Sequence, residues 1–390
     1  MFVSNNSLAA VAAAHSVNPD RWWTAYGAVI DRIAPRFRRY EPLRHAGGLM
    51  LGMLSGLERK NCWTIAEYRA DLTPDGLQHL LARAAWDADA VRDDLRGYVL
   101  EAFADPGAVM VVDETGDVKM GLHSVGVQRQ YTGTAGRIEN AQVAVFLTYA
   151  ARRGHALIDR SLYLPRSWVE DRPRCQAAGV PDDVEFATKP ALATTMIIRA
   201  VEAGVPAGWV AGDEVYGADP DLRAAVRGQG LGYALQVSAN RRVPTHTGPI
   251  RVDELARTVP DSAWQHYSCG PGSKGPRYYD WAWIALLPED DSDSGQHHLL
   301  IRRNDTPASW PTYAATAPAR CRCPPWCGWP GSGGASKSPS RPRKASSAST
   351  NTRCGAGPPG TAGPPSPCSP TPSSPSPPPS NATRPPHRPG

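Results

Sequence analysis

Two apolar runs in this chain end on carboxylates. Ala108-Val109-Met110-Val111-Val112 leads into Asp113-Glu114, and Trp209-Val210-Ala211-Gly212 leads into Asp213-Glu214. An unbroken, β-branched apolar run reads as a strand buried on both faces, where acid has no packing role. Two such strands, each delivering an aspartate at its C-terminal end, suit a divalent cation such as Mg²⁺ or Mn²⁺, which takes hard oxygen ligands. Glu114 and Glu214 point to the opposite strand face if the strands continue, which ranks them below Asp113 and Asp213 as metal ligands and catalytic groups. Lys119, Arg129, Arg137 and Lys189 flank the carboxylates in sequence and are candidates for holding phosphates, with plain surface charge as the alternative. ATP hydrolysis is disfavoured, because Gly270-Pro271-Gly272-Ser273-Lys274 lacks the order of a phosphate-binding P-loop.

The surrounding pattern predicts how these residues are carried. Residues 1–105 read as helical. Thr73-Pro74-Asp75 has the form of a helix start, with Leu77, Leu80, Leu81 and Ala84 at helical spacing behind it, and Val91, Leu95, Tyr98 and Val99 form a second stripe. Trp22, Trp23, Leu43, Met50, Leu51 and Leu54 are expected to pack beneath these helices. This region is a candidate for gripping DNA, through Arg36, Arg38, Arg39, Arg59 and Lys60. From residue 108 strands take over. Thr115-Gly116 reads as a turn, and segments 123–131 and 141–149 complete a three-stranded antiparallel meander, with a further strand over 157–164. Pro190 opens a helix bearing Leu192, Met196, Ile197 and Val201. A second helix starts at Asp219-Pro220, a strand follows over 233–237 and a short helix over 252–259. A meander followed by alternating helices and strands is the order of an α/β, RNase H-like fold. Aromatic-rich candidate strands over 264–269, 278–287 and 297–301 read as a β insertion spanning about 240–306, within a domain of 106–306.

Composition narrows the classes. Of 42 Lys and Arg and 37 Asp and Glu, residues 307–390 hold nine basic and no acidic residues, so the remainder carries 33 against 37 and is slightly acidic. Net charge therefore does not mark the folded part as a nucleic-acid binder, and a DNA surface must be a local patch. Only Cys62, Cys175 and Cys269 of the eight cysteines precede the tail, in no ligand spacing, which fits a reducing cytoplasm. Residues 1–16 lack the basic start of a secretory signal, and no apolar run of about 18 residues is present to span a membrane.

After Ile301 the chain contains no Leu, Ile, Val, Met or Phe. Residues 307–390 are accordingly expected to be a disordered Pro/Ser/Arg-rich tail. A shifted reading frame explains the composition in another way. If each codon's third base joins the next two, serine TCN becomes NTC, which encodes only Phe, Leu, Ile or Val. Applied over 331–337 this permits Ile-Arg-Trp-Arg-Ile-Glu, and from Lys344 onward it permits a helix-like pattern. Cys321, Cys323 and Cys327 then read as products of the shift and not as metal ligands.

The motifs Leu57-Glu58-Arg59-Lys60-Asn61, Trp86-Asp87-Ala88-Asp89, Val112-Asp113-Glu114-Thr115-Gly116, Ser124-Val125-Gly126-Val127-Gln128-Arg129-Gln130-Tyr131, Leu162-Tyr163-Leu164-Pro165 and Gly212-Asp213-Glu214-Val215-Tyr216-Gly217 resemble those of bacterial insertion-sequence transposases with an RNase H-like DDE domain. The resemblance runs from Gly52 to about Ile301. It implies that Asp113 and Asp213 are the first two acids of a site holding two Mg²⁺ or Mn²⁺ ions, that the partner is double-stranded DNA at element ends, and that the protein is cytoplasmic, associates with the nucleoid when bound to DNA, and has a homodimer as an assembly to test. The family's third acid follows the β insertion in a Trp-x-Ile-Glu context, and this chain has no acid after Asp305. The resemblance therefore implies a transposase impaired as written, with a non-catalytic DNA-binding remnant, or an inhibitor of an intact transposase, as the alternative.

Overall fold

The structure is a computed structural model that describes residues 18–272, 275–288, 296–303 and 312–317. Among the described residues five α-helices come first: α1 (Pro19–Ile33), α2 (Tyr40–Leu54), α3 (Cys62–Tyr68), α4 (Asp75–Ala82) and α5 (Ala88–Phe103). Asn18 caps α1, Asn61 caps α3 in a reciprocal box with Thr64, and Asp87 caps α5, each through a side-chain oxygen accepting from backbone amides two or three residues on. At the start of α4 the threonine is not the cap. Pro74 occupies the cap position, and the Thr73 hydroxyl donates to the Asp75 carboxylate at 3.0 Å instead of capping the backbone. Leu77 and Leu80 are buried as the stripe requires, but Leu81 is exposed. Trp22, Trp23 and Leu54, expected beneath the helices, are exposed as well, because the contact layer is made by small residues: Gly47, Gly48 and Gly52 of α2 lie in it, and a Cβ on Gly52 would meet Ile65 at 2.5 Å.

The strands are β1 (Val109–Val118), β2 (Gln128–Thr132), β3 (Arg137–Ala151), β4 (Gly154–Tyr163), β5 (Trp209–Gly212) and β6 (Gly232–Val237). In space the order β4-β3-β1-β5-β6 has β4, β3 and β1 antiparallel and β1, β5 and β6 parallel. This is a mixed α/β, RNase H-like sheet. The meander differs from the expected one. Its middle strand is β3, which runs directly beside β1, and the segment over 123–131 supplies only the short ribbon β2 against the start of β3. Gly126, at φ +75°, breaks the extended conformation there, and Val127 packs away from the sheet core with Leu164, Trp168 and Cys175. Nor does the chain turn at Thr115-Gly116. Both continue β1, and Gly116 is required because a Cβ would come within 2.0 Å of Thr132 Oγ1.

Short helices α6 (Arg166–Val169) and α7 (Arg172–Ala177) lead to α8 (Lys189–Glu202), α9 (Glu214–Gly217) and α10 (Pro220–Gly228). Thr188 caps α8 by accepting from Ala191. Ala193, Met196, Ile197 and Ala200 of α8 and Leu222 and Val226 of α10 are buried against Met110, Val112, Val145, Leu147 and Tyr149. Burial of each large aliphatic side chain contributes about 1.5–3 kcal/mol, so this helix–sheet layer is the main hold on the core.

The β insertion is continuous with the main sheet. The hairpin β7 (Arg242–Thr245) and β8 (Gly248–Arg251) and helix α11 (Val252–Arg257) precede β9 (Gln265–Gly272), β10 (Gly275–Leu286), β11 (Gln296–Arg303) and β12 (Thr312–Ala317), and the sheet order continues β6-β12-β11-β10-β9. Strand β12 corrects the expectation for the tail. It falls inside 307–390 yet pairs antiparallel with β6 on one side and β11 on the other, because main-chain ladder bonds on both edges hold a segment that lacks large aliphatic residues. The rest of the expected disordered tail, including Cys321, Cys323 and Cys327, lies outside the described residues.

Candidate active site

Strands β1 and β5 run parallel with Val109 opposite Trp209, Met110 opposite Val210 and Val111 opposite Ala211. Continuing the same offset two residues further aligns Asp113, within β1, with Asp213, the first residue beyond the end of β5, and the Asp113 charge is felt at Asp213. The sheet is tightly closed just beneath them. A Cβ on Gly212 would meet Val112 at 2.7 Å and both Leu235 and Tyr216 at 3.2 Å, so only glycine fits before Asp213. The two carboxylates are not equivalent. Asp113 lies within β1, which runs on to Val118, and its Oδ1 accepts from the Glu114 amide at 2.8 Å. Asp213 is the cap of α9 and accepts from the Val215 amide at 2.9 Å. Loss of solvation holds the Asp213 carboxyl above its ordinary range, backbone amides of Val215 and Tyr216 oppose this, and the charges of Glu114 and Asp113 add to it.

Among the described residues neither aspartate has a cationic partner. Paired carboxylates whose mutual repulsion is not offset by a lysine or arginine suit a divalent cation in donor chemistry. They supply two hard-oxygen residues, and no group of three or more His, Cys, Asp or Glu positioned for a metal exists among the described residues.

The phosphate-binding candidates fall into two sets. Lys119 is ion-paired with Asp117, Arg137 with Glu139 at 2.7 Å, and Lys189 with Glu114 at 2.7 Å. Arg129 is exposed and without an ion-pair partner among the described residues. In the register Arg129 pairs with Asn140 and Tyr131 with Ile138 on β3, while Asp113 pairs with Phe146. With alternate residues on alternate faces, Asp113, Arg129 and the exposed Tyr131 share one face of the sheet.

Glu114 faces the other way, as the alternation requires. Its Oε1 accepts from Lys189 Nζ at 2.7 Å and its Oε2 from the Tyr216 hydroxyl at 2.8 Å. Tyr216 is fully buried, and that burial, followed by the neighbouring Glu114 charge, drives its hydroxyl far above the usual phenol range. The sequence pattern did not reveal this group. The available signal was a tyrosine three residues after Asp213, one helical turn from a capping aspartate.

Residues 32–261 match the family described as DDE superfamily endonuclease. The chain belongs to this family. It is 28% identical over 280 residues to a protein described as a probable transposase for insertion sequence element IS701 from Microchaete diplosiphon, covering 70% of this chain and 69% of that one. Together these place it among the DDE transposases of insertion sequences. The NurA nuclease from Sulfolobus solfataricus overlaps 54% of this chain and 68% of its own, at 8% identity and a TM-score of 0.25, a likeness too slight to bear on the fold. No helix among the described residues is long and apolar enough to cross a membrane.

Proposed function

We propose that this transposase cleaves and joins DNA at insertion-sequence ends by a metal-dependent reaction in which Asp113 and Asp213 hold the cation. The observation that carries the reading is the parallel register of β1 and β5, with the same offset between Asp113 and Asp213 as between the paired residues before them. A bound Mg²⁺ or Mn²⁺ supplies Lewis acidity at the phosphoryl oxygens and lowers the pKa of a coordinated water or 3′-hydroxyl. The chain's own residues set the geometry. On this reading Asp213, held by its cap on α9, and Asp113, held by the β1 ladder, offer carboxylate oxygens to the cation, and Arg129, on the same sheet face as Asp113, holds a flanking phosphate of double-stranded DNA.

The third acid of the family pattern is not encoded after Asp305. A frame change accounts for this, and the pairing of β12 supports placing it beyond Ala317, since 312–317 fits its ladder between β6 and β11. Restoring the frame permits glutamate at the junction of the Ser336 and Lys337 codons. As written, the protein then binds DNA but cuts it poorly. The same missing acid favours a second reading, a non-catalytic DNA-binding remnant that occupies element ends and inhibits an intact relative. The nucleotide sequence of codons 300–345, with cleavage assays on the written and frame-restored chains, separates the two: an in-frame Trp-x-Ile-Glu and restored cutting support the enzyme, and inactivity of both chains supports the remnant.

A further inference from the structure

The group behind the aspartates has no role in the reaction as so far described. Both oxygens of Glu114 are occupied, by Lys189 Nζ at 2.7 Å and the Tyr216 hydroxyl at 2.8 Å. Lys189 Nζ also lies 5.8 Å from the centre of the Tyr163 ring, so β1, β4, α8 and α9 meet at one carboxylate. Glu114 and Lys189 are about four-fifths shielded, at 19% and 21% exposure. The residue types are unusual for their positions. Lys189 is the first residue of α8, where a cation opposes the helix dipole, so a carboxylate facing it removes a standing penalty. Tyr216 is wholly buried, and its hydroxyl needs an acceptor there.

Connectivity matters more than either satisfied charge. Glu114 directly follows Asp113 on β1, and Tyr216 lies three residues after Asp213, within the single turn that Asp213 caps. The Glu114–Tyr216 hydrogen bond therefore ties the backbone carrying one aspartate to the backbone carrying the other, and Lys189 holds Glu114 in the orientation that makes the tie. We propose that Glu114, Lys189 and Tyr216 form a positioning clamp that fixes the separation of Asp113 and Asp213 for a divalent cation. This rests on the reading of the two aspartates as the metal pair. None of the three touches the cation; each acts through the strand or helix that bears a ligand.

Mn²⁺ binding to the full chain, followed by electron paramagnetic resonance without DNA, tests this and separates positioning from simple charge. Tyr216→Phe removes one hydroxyl and keeps the ring, and its Mn²⁺ affinity is expected to fall about tenfold, the lower end of what outer partners of metal ligands contribute. Lys189→Met gives the sharper test. Removing a cation near a cation site tightens Mn²⁺ if charge alone matters, whereas loss of the clamp weakens it, again by about tenfold. Lys189→Arg, which keeps the charge and a donor, is expected to retain most of the affinity. If Mn²⁺ binding depends on Asp113 but Lys189→Met binds as tightly as the parent or more tightly, the clamp is overturned and the metal pair stands. If the parent binds no more Mn²⁺ than an Asp113→Asn/Asp213→Asn chain, the metal pair is overturned and the clamp falls with it.

Discussion

Asp213 has two tasks that substitution can separate. Its side chain caps α9 by accepting from Val215, and its charge sits beside Asp113 in the proposed cation site. Asparagine caps a helix about as well as aspartate, whereas alanine forfeits about 1 kcal/mol. Asp213→Asn is therefore expected to melt within a degree or two of the parent while losing Mn²⁺ affinity by about 100-fold or more, beyond the range seen for outer partners. Asp213→Ala should lose the same affinity and also melt lower. Equal destabilisation by both substitutions would show that the cap is not what the side chain contributes. Arg129 gives a parallel test on the DNA side. As a single phosphate contact, its loss in Arg129→Ala should weaken duplex binding uniformly across sequences and lower the salt slope by about 1. An unchanged slope measured by fluorescence anisotropy would remove Arg129 from the interface.

At the scale of elements, the helical region is bound to the sheet by charge as well as by packing. Asp159 of β4, with a side chain at 0% exposure, lies 3.5 Å from Arg92 of α5 and 3.4 Å from Arg199 of α8. Arg160 reaches Asp89 at the start of α5 at 2.8 Å. Removing the buried acid leaves Arg92 its pairs with Asp89 and Asp93 but takes the counter-charge from the part-exposed Arg199, so Asp159→Ala is expected to destabilise by about 1–3 kcal/mol in urea unfolding. A change under about 1 kcal/mol would mean that solvent already screens the cluster. Within the helical region, Arg36 grips both oxygens of Asp94 at 2.7 and 2.8 Å, and this hydrogen bonding holds the Asp94 carboxyl below its ordinary range. A depressed acid binds its proton more weakly in the folded state, so the stability it adds is present above the unfolded value near 3.9 and is lost as pH falls through the lower folded value. Thermal melts should accordingly show an acid-side decline that is shallower in Asp94→Asn. Identical profiles for the two proteins would contradict the assignment.

These elements also show what a sequence can reveal. β1, β5 and α8 were legible because their signals are local: β-branched runs, and an apolar stripe behind Pro190. The strand at 123–131 was misplaced because alternation over a few residues does not reveal which strand pairs with which, and the choice of β3 as the partner of β1 is made by long-range packing on α8. β12 was missed for a related reason. A strand held on both edges by main-chain bonds needs no aliphatic signature. The two aspartates of the proposed site stand out in the sequence because each follows an apolar run, whereas the link from Glu114 to Lys189 and Tyr216 joins residues 75 and 102 apart, beyond any local pattern.

On the whole-molecule scale, the face of the sheet that carries Asp113 is only partly covered. Tyr131, Ile138, Leu157 and Leu162 are exposed at 62%, 57%, 59% and 39%, and the register puts them on that face in two groups, Leu157 and Leu162 near Ala144 and Phe146, and Tyr131 with Ile138 beyond Asn140 and Gln142. Exposed apolar side chains grouped in this way mark a contact site or an aggregation hazard. The written chain is expected to bind the dye ANS and to self-associate at micromolar concentration, and the frame-restored chain to do so less. Equal dye binding by the two would show that the restored segment does not shield this face. The most direct measurement of the central claim is cleavage of an element-end duplex by the frame-restored chain, with and without Asp113→Ala, in Mg²⁺ and in EDTA. Cutting that needs both the cation and Asp113, with little or none from the written chain, is the result expected of a carboxylate-held metal site completed by the restored acid. Undiminished cutting by the Asp113→Ala chain, or cutting in EDTA, would contradict it.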